Sequence, residues 1–186
     1  MSTKKIGIVV GSLRKESFSK KIAANMAELF PEGFETEFIA IDKLDMYDQD
    51  LDDENRPPAA WTSFREQLGQ YDAFMFVTPE YNRSVPAVLK NALDVGSRPY
   101  GQNKWGGKPG AVVSVSPGAI SGFGAHHHLR QVLVFLDIYT MQQPEAYIGN
   151  VANILDSEGK VTNEGTLDFL KLIVNSFVDW INKTSN

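Results

Sequence analysis

The stretch that most constrains the fold is residues 6–19, Ile-Gly-Ile-Val-Val-Gly-Ser-Leu-Arg-Lys-Glu-Ser-Phe-Ser. Residues 6–10 are short and mostly apolar, as a strand buried on both faces requires. A Gly-Ser turn follows at once, then a loop bearing hydroxyls and Arg14. Beyond it Ile22, Met26 and Leu29 recur at helical spacing, and Pro31 with Gly33 ends that run. A strand that feeds a loop and then a helix N-terminus offers outward N–H groups and the positive end of a helix dipole, which suits a phosphate. Ser12, Ser17 and Ser19 add hydroxyl donors, and Arg14 adds a fork of charge-assisted donors. Taken alone, the same residues also suit an ordinary strand-to-helix turn with serine caps.

Strand and helix patterns alternate along the rest of the chain, which predicts an α/β fold with a parallel sheet. Residues 34–41 have strand character. Residues 42–58 are acidic and proline-bearing and read as a solvated loop. Residues 61–68 read as a short helix. Residues 73–77 and 111–115 are further buried strands. Pro86 opens a helix, where its missing N–H costs nothing. A helix runs through Phe135, residues 139–142 are a weaker strand, and residues 164–182 form a closing helix with Leu167, Leu170, Ile173 and Phe177 on one face. No internal repeat or linker interrupts this order, so one domain is expected over 1–186.

In an open parallel sheet, ligands bind outside the carboxyl ends of the strands, where strand order reverses. Three buried strands here run directly into unusual loops, at residues 11–19, 78–85 and 116–124. Parallel strands would put all three on one edge. In the second loop Pro79 and Pro86 stiffen the backbone, Tyr81 offers an aromatic surface and Asn82 a donor and an acceptor. In the third, Ser116 lies just past its strand, and Gly118, Gly122 and Gly124 permit close backbone approach. Together they suit a mononucleotide with a flat ring. Individually, Tyr81 also serves to cover apolar surface, Glu80 reads equally as a solvated carboxylate, and Ser116 as a turn former before Pro117.

Composition narrows the partners. The net charge is −5 with no basic stripe, which argues against nucleic acid and anionic membranes. The absence of cysteine excludes thiol catalysis, thiolate metal sites and disulfides. The apolar run after Lys4 and Lys5 ends at Val10, too short for a signal peptide, and no later stretch would span a bilayer, so a cytoplasmic protein is expected. His126, His127 and His128 are consecutive, and helix positions about 100° apart do not converge on one ion. Arg83, Arg98, Lys104 and Lys108 are candidates for meeting a 2′-phosphate of NADPH, or equally for surface charge.

Gly-Ser-Leu-Arg-Lys-Glu-Ser-Phe-Ser followed by Thr-Pro-Glu-Tyr-Asn-Arg-Ser-Val-Pro-Ala-Val-Leu-Lys-Asn-Ala-Leu-Asp resembles the paired signatures of the NAD(P)H-dependent FMN reductases, which include bacterial quinone and chromate reductases and azoreductase-like enzymes. Ser-Pro-Gly-Ala, with the later His-Leu-Arg-Gln-Val-Leu, resembles that family's third region. The resemblance covers nearly the whole chain. It implies a flavodoxin-like three-layer sandwich, with a five-stranded parallel sheet of order 2-1-3-4-5 and helices on both faces, and a non-covalent FMN. Ser12, Arg14, Ser17, Phe18 and Ser19 would surround the FMN phosphate and ribityl chain. Pro79, Glu80, Tyr81 and Asn82 would border the isoalloxazine ring, with Ser116 approaching from the third loop. Ser19 stands where many relatives carry Asn, and residues 121–124 where relatives often show a Gly-Gly pair and a basic residue.

The implied activity is hydride transfer from NADPH or NADH to FMN, and onward to a quinone or similar acceptor, in a homodimer or homotetramer. No acid–base residue is assigned as catalytic and no metal is expected. Other ligand classes lack their motifs: there is no Gly-x-Gly-x-x-Gly after the first strand, no Gly-Lys-Ser/Thr, no nucleophilic cysteine and no Gly-x-Ser-x-Gly. The alternative from another class is an FMN-binding electron carrier or redox-sensing interaction protein, against which Arg14 leans, since carriers usually have a Thr/Ser-rich phosphate loop without arginine.

Overall fold

The computed structural model describes residues 3–185; Met1, Ser2 and Asn186, at the ends of the expected 1–186 domain, lie outside the described residues. The elements are β1 (Lys4–Val10), α1 (Phe18–Ala27), β2 (Phe34–Ile39), α2 (Gln49–Asp53), α3 (Ala59–Leu68), β3 (Ala73–Thr78), α4 (Ala87–Gly96), β4 (Pro109–Val115), α5 (Phe123–Phe135), β5 (Tyr139–Thr140), β6 (Ala146–Ile148) and α6 (Glu164–Thr184). All described strand pairings are parallel, in the order β2-β1-β3-β4-β5, with β6 also on β4. The expected order 2-1-3-4-5 is thus present, with a sixth strand.

The extra strand has a local cause. β5 pairs with Pro109 and Gly110 and β6 with residues 113–115, so the two share one edge of β4. Between them stand Gln143 and Pro144. A proline cannot donate to the ladder, and an edge position tolerates the break.

Strand alternation sends side chains to two cores. Ile6, Ile8, Met75, Val77, Ala111 and Val113 pack against α1 and α6. Val9, Phe74, Phe76 and Val112 pack against α3, α4 and α5. In the second core, Trp105 lies 4.8 Å from Phe74 and 5.8 Å from Phe76 between ring centroids. Truncating either phenylalanine to alanine there costs about 3–5 kcal/mol.

The region read as a solvated loop, residues 42–58, is partly folded. Asp48 caps α2, and Asp52 is buried against Arg65 of α3 in a two-pronged ion pair of 2.8 and 2.7 Å. Arg65 Nε also donates to the Val95 carbonyl at 2.9 Å, and its guanidinium stands 5.4 Å from the Trp61 ring. This buried pair ties the excursion to α3 and α4.

Candidate functional site

Strand register sets the site. Val10 pairs with Val77, and Thr78 with Ser114, so β1, β3 and β4 end side by side. Gly11 N–H continues the ladder to Val77 O at 2.9 Å. The three loops therefore leave the sheet from neighbouring strands about 4.8 Å apart.

In the first loop, Ser17 is the N-cap of α1; its Oγ accepts from Lys20 N–H at 3.2 Å, which leaves the hydroxyl proton free to donate elsewhere. Ser17 and Ser19 are buried, and Phe18 packs partly on the α1–α6 core. Ser12 Oγ accepts from Arg14 N–H at 3.4 Å, and the Arg14 side chain is exposed. The serine-cap reading of this loop is thus true of Ser17, and it coexists with a helix N-terminus open to an anion.

The second loop is a hairpin. Tyr81 and Ser84 exchange both backbone hydrogen bonds at 3.0 Å, and Asn82 and Arg83 have φ of 50° and 64°. Two successive left-handed residues make a type I′ turn, which asparagine tolerates well. Pro79 is half-buried, and Tyr81 and Asn82 are exposed on the turn. Pro86 sits one residue before α4, as its N-cap.

Glu80 is not a solvated carboxylate. Its side chain is 11% exposed; Oε1 accepts from Arg83 Nη1 at 3.0 Å, and Oε2 accepts from the backbone N–H of Ala125, 45 residues away, at 3.0 Å. Ala125 lies in the first turn of α5, so the carboxylate satisfies an otherwise unpaired amide and complements the helix dipole. Gly124 makes this approach feasible: a Cβ there would come within 2.8 Å of Arg83 O and 2.9 Å of Glu80 Oε2. Glu80 thereby locks the second loop to the third, a link that the sequence did not disclose.

Ser116 stands at the end of β4, where its N–H donates to Ile148 O at 2.9 Å and its Oγ accepts from Gly118 N–H at 3.1 Å. It forms the turn, and that turn forms the third wall. Ser114 Oγ holds the far end of the loop through Ser121 O at 2.7 Å.

The three histidines diverge. His126 is fully buried, 4.6 Å from the Tyr147 ring, and neither ring nitrogen meets a protein partner. Burial, with Arg130 and His127 nearby, lowers its pKa from 6.5 to about 3, so it is neutral. His127 Nε2 bonds the Tyr147 hydroxyl at 2.9 Å, and His128 Nδ1 bonds Ser84 Oγ at 3.0 Å. Burial, then Glu145, pushes Tyr147 up to about 12. No group of three metal-ligating side chains occurs among the described residues. Of the four basic candidates, Lys104 and Lys108 precede β4 at the opposite edge of the sheet, and Lys108 Nζ donates to Leu68 O at 2.8 Å.

A parallel 2-1-3-4-5 sheet with a serine- and arginine-bearing loop after β1, and two further walls after β3 and β4, defines a flavodoxin-like nucleotide-binding protein. Comparison with known proteins narrows the class. Residues 4–153 match the NADPH-dependent FMN reductase family. The chain is 54% identical over 176 residues to a quinone reductase of Pseudomonas putida, covering 95% of this chain and 94% of that one. It is 45% identical over 177 residues to a 2-hydroxy-1,4-benzoquinone reductase of a Burkholderia species, covering 95% and 96%. Among solved structures, the flavoenzyme NAD(P)H:(acceptor) oxidoreductase FerB of Paracoccus denitrificans superposes with a TM-score of 0.92 at 39% identity, covering 98% of this chain and all of that one. The chain belongs to the NADPH-dependent FMN reductase family and is an FMN- and NAD(P)H-dependent oxidoreductase.

Proposed function

We propose that this protein reduces quinones at the expense of NAD(P)H, with FMN held at the β1, β3 and β4 loop edge. The observation that carries the reading is the junction of three walls: a helix N-terminus with buried Ser17 and Ser19, a rigid type I′ hairpin, and the Ser116 turn, the last two locked by Glu80. The phosphate fits the first wall, since the N–H groups of Leu13, Lys15 and Glu16 have no acceptor among the described residues. Ser12, Ser17 and Ser19 donate hydroxyls there, Arg14 supplies the countercharge, and Phe18 fixes the helix start on the core. Pro79, Glu80, Tyr81 and Asn82 frame the ring, with Glu80 acting through its carboxylate on α5 while the hairpin backbone faces the ring. Ser116 closes the third side. FMN held there would supply the redox chemistry, hydride acceptance from the nicotinamide and electron delivery to the acceptor. The chain's own part is to bind and orient, and no side chain is assigned as a proton donor.

A homodimer or homotetramer is part of this reading. It is supported by Val134 and Phe135, 72% and 90% exposed on α5, beside a groove of about 570 Å³ that Phe135, Leu136, Asp94 and Arg98 help to line. A monomeric mass by light scattering at micromolar concentration overturns it. Among the described residues no helix is long and apolar enough to cross a membrane, and a cytoplasmic location is proposed from the cysteine-free chain and its NAD(P)H donor.

The deciding experiment is anaerobic titration of the FMN-loaded protein with NADPH and then NADH. Bleaching of the flavin absorbance, restored by a quinone, is the expected outcome. An FMN that binds but stays oxidised with both donors would instead make the protein a carrier or sensor.

A further inference from the structure

A cavity borders the phosphate loop on its β2 side, and Ser12 and Arg14 of that loop are part of its lining. It has a volume of about 340 Å³ and sits between the β1–α1 loop and the end of edge strand β2. Arg14, Lys15 and Lys20 line it, together with Leu13, Phe38 and Asp42. Leu13 is 56% and Phe38 43% exposed, an apolar platform large enough to matter at a loop that otherwise presents polar groups. Lys15 and Lys20 are exposed and form no ion pair among the described residues. The nearby Glu16 is occupied by Lys21 at 2.8 Å, so Asp42 is the one carboxylate lining the cavity.

Aromatic face, cationic rim and a lone carboxylate are the three groups needed for adenine, phosphate and a ribose hydroxyl. Lys15 lies in the β1–α1 loop and Lys20 in the first turn of α1, so both cations stand beside the end of β2 that carries Phe38. Of the other basic candidates, Arg83 lies on the hairpin beside Glu80 at 3.0 Å, and Arg98 follows α4, whose Gly96 carbonyl accepts from Lys104 N–H at 3.0 Å, at the opposite edge of the sheet.

Building on the NAD(P)H-dependent reading, we infer that this cavity receives the adenosine 2′-phosphate end of NADPH, with Lys15 and Lys20 as the cations that favour NADPH over NADH. Phe38 carries the adenine, and Asp42 accepts from the remaining ribose hydroxyl. Arg14 stays with the phosphate loop, at the boundary between the two subsites.

The test is calorimetric titration of the FMN-loaded protein with adenosine 2′,5′-bisphosphate and with 5′-AMP, on the parent and on Lys15→Ala/Lys20→Ala. The parent binds the bisphosphate at least about tenfold more tightly than 5′-AMP. The double variant loses about tenfold or more of that affinity, the scale of a charge-assisted hydrogen bond. Lys15→Arg/Lys20→Arg restores it, and flavin fluorescence reports an unchanged FMN affinity throughout. Equal binding of the two nucleotides, or a double variant that binds the bisphosphate like the parent, overturns the assignment while leaving the flavin reading standing. Loss of FMN binding in the double variant overturns it too, since the lysines would then serve the flavin phosphate. A parent that takes up no FMN overturns the flavin reading itself, and this one with it.

Discussion

Replacing Glu80 with alanine removes two contacts of unequal worth. The bond from Ala125 N–H at 3.0 Å is charge-assisted and lies on a side chain only 11% exposed, so about 1.5–3 kcal/mol is at stake. The helix-dipole term adds about 0.3–1 kcal/mol. Arg83 is 70% exposed, and its pair with Glu80 contributes close to nothing after solvent screening. The expected loss is therefore about 2–4 kcal/mol, or roughly 5–15 °C in Tm for a chain of this length. Glu80→Gln keeps an acceptor for Ala125 but loses the charge, so its loss should be about half as large. Urea and thermal unfolding of the flavin-free protein measure both. FMN affinity should fall in the same order, because the second and third walls are no longer locked. An alanine variant within about 0.5 kcal/mol of the parent would refute the clamp, and equal losses for alanine and glutamine would refute its electrostatic part.

Other outcomes follow from the same structure. Arg14→Ala should weaken FMN binding by about 1–3 kcal/mol without altering stability, measured by flavin fluorescence; unchanged affinity removes Arg14 from the phosphate site. Asp52→Ala leaves the buried Arg65 guanidinium uncompensated and should cost about 3–5 kcal/mol in urea unfolding, whereas Arg65→Met with Asp52→Leu should cost far less. His126 has its folded pKa depressed to about 3, so its contribution to stability is complete above pH 6.5, its ordinary value, and is lost as the pH falls from there towards about 3. Urea midpoints between pH 7 and 5 should register a loss approaching about 1.4 kcal/mol per pH unit from this group, and His126→Leu should abolish that part of the slope. A slope unaltered by His126→Leu would show that the imidazole already finds a proton partner in the fold.

The legible part of this protein was local. Buried strands at residues 6–10, 73–77 and 111–115 announce themselves as apolar runs bounded by glycine and proline, and each lies within its observed strand. The loop after β1 was readable because its serines, arginine and helix start lie within one short stretch. Strand order then followed from the resemblance to a known family, and the sheet bears it out. The edge was less legible: residues 139–142 contain a real strand, but the segment at Ala146–Ile148 that continues along the same edge of β4 lacks a pattern long enough to stand alone, and Pro144 hides the continuity.

Tertiary structure decided whatever depends on residues distant in the chain. Nothing near Glu80 in sequence shows that its carboxylate reaches Ala125, and nothing in the acidic run at residues 42–58 distinguishes buried Asp52 from its exposed neighbours. His126 and His128 are chemically identical in the sequence and opposite in the fold, one neutral in the core and one at the surface on Ser84. The physical reason is common to all three. Backbone preference and periodicity act over a few residues, whereas burial and electrostatic partnership exist only after the sheet has brought separate loops to one edge.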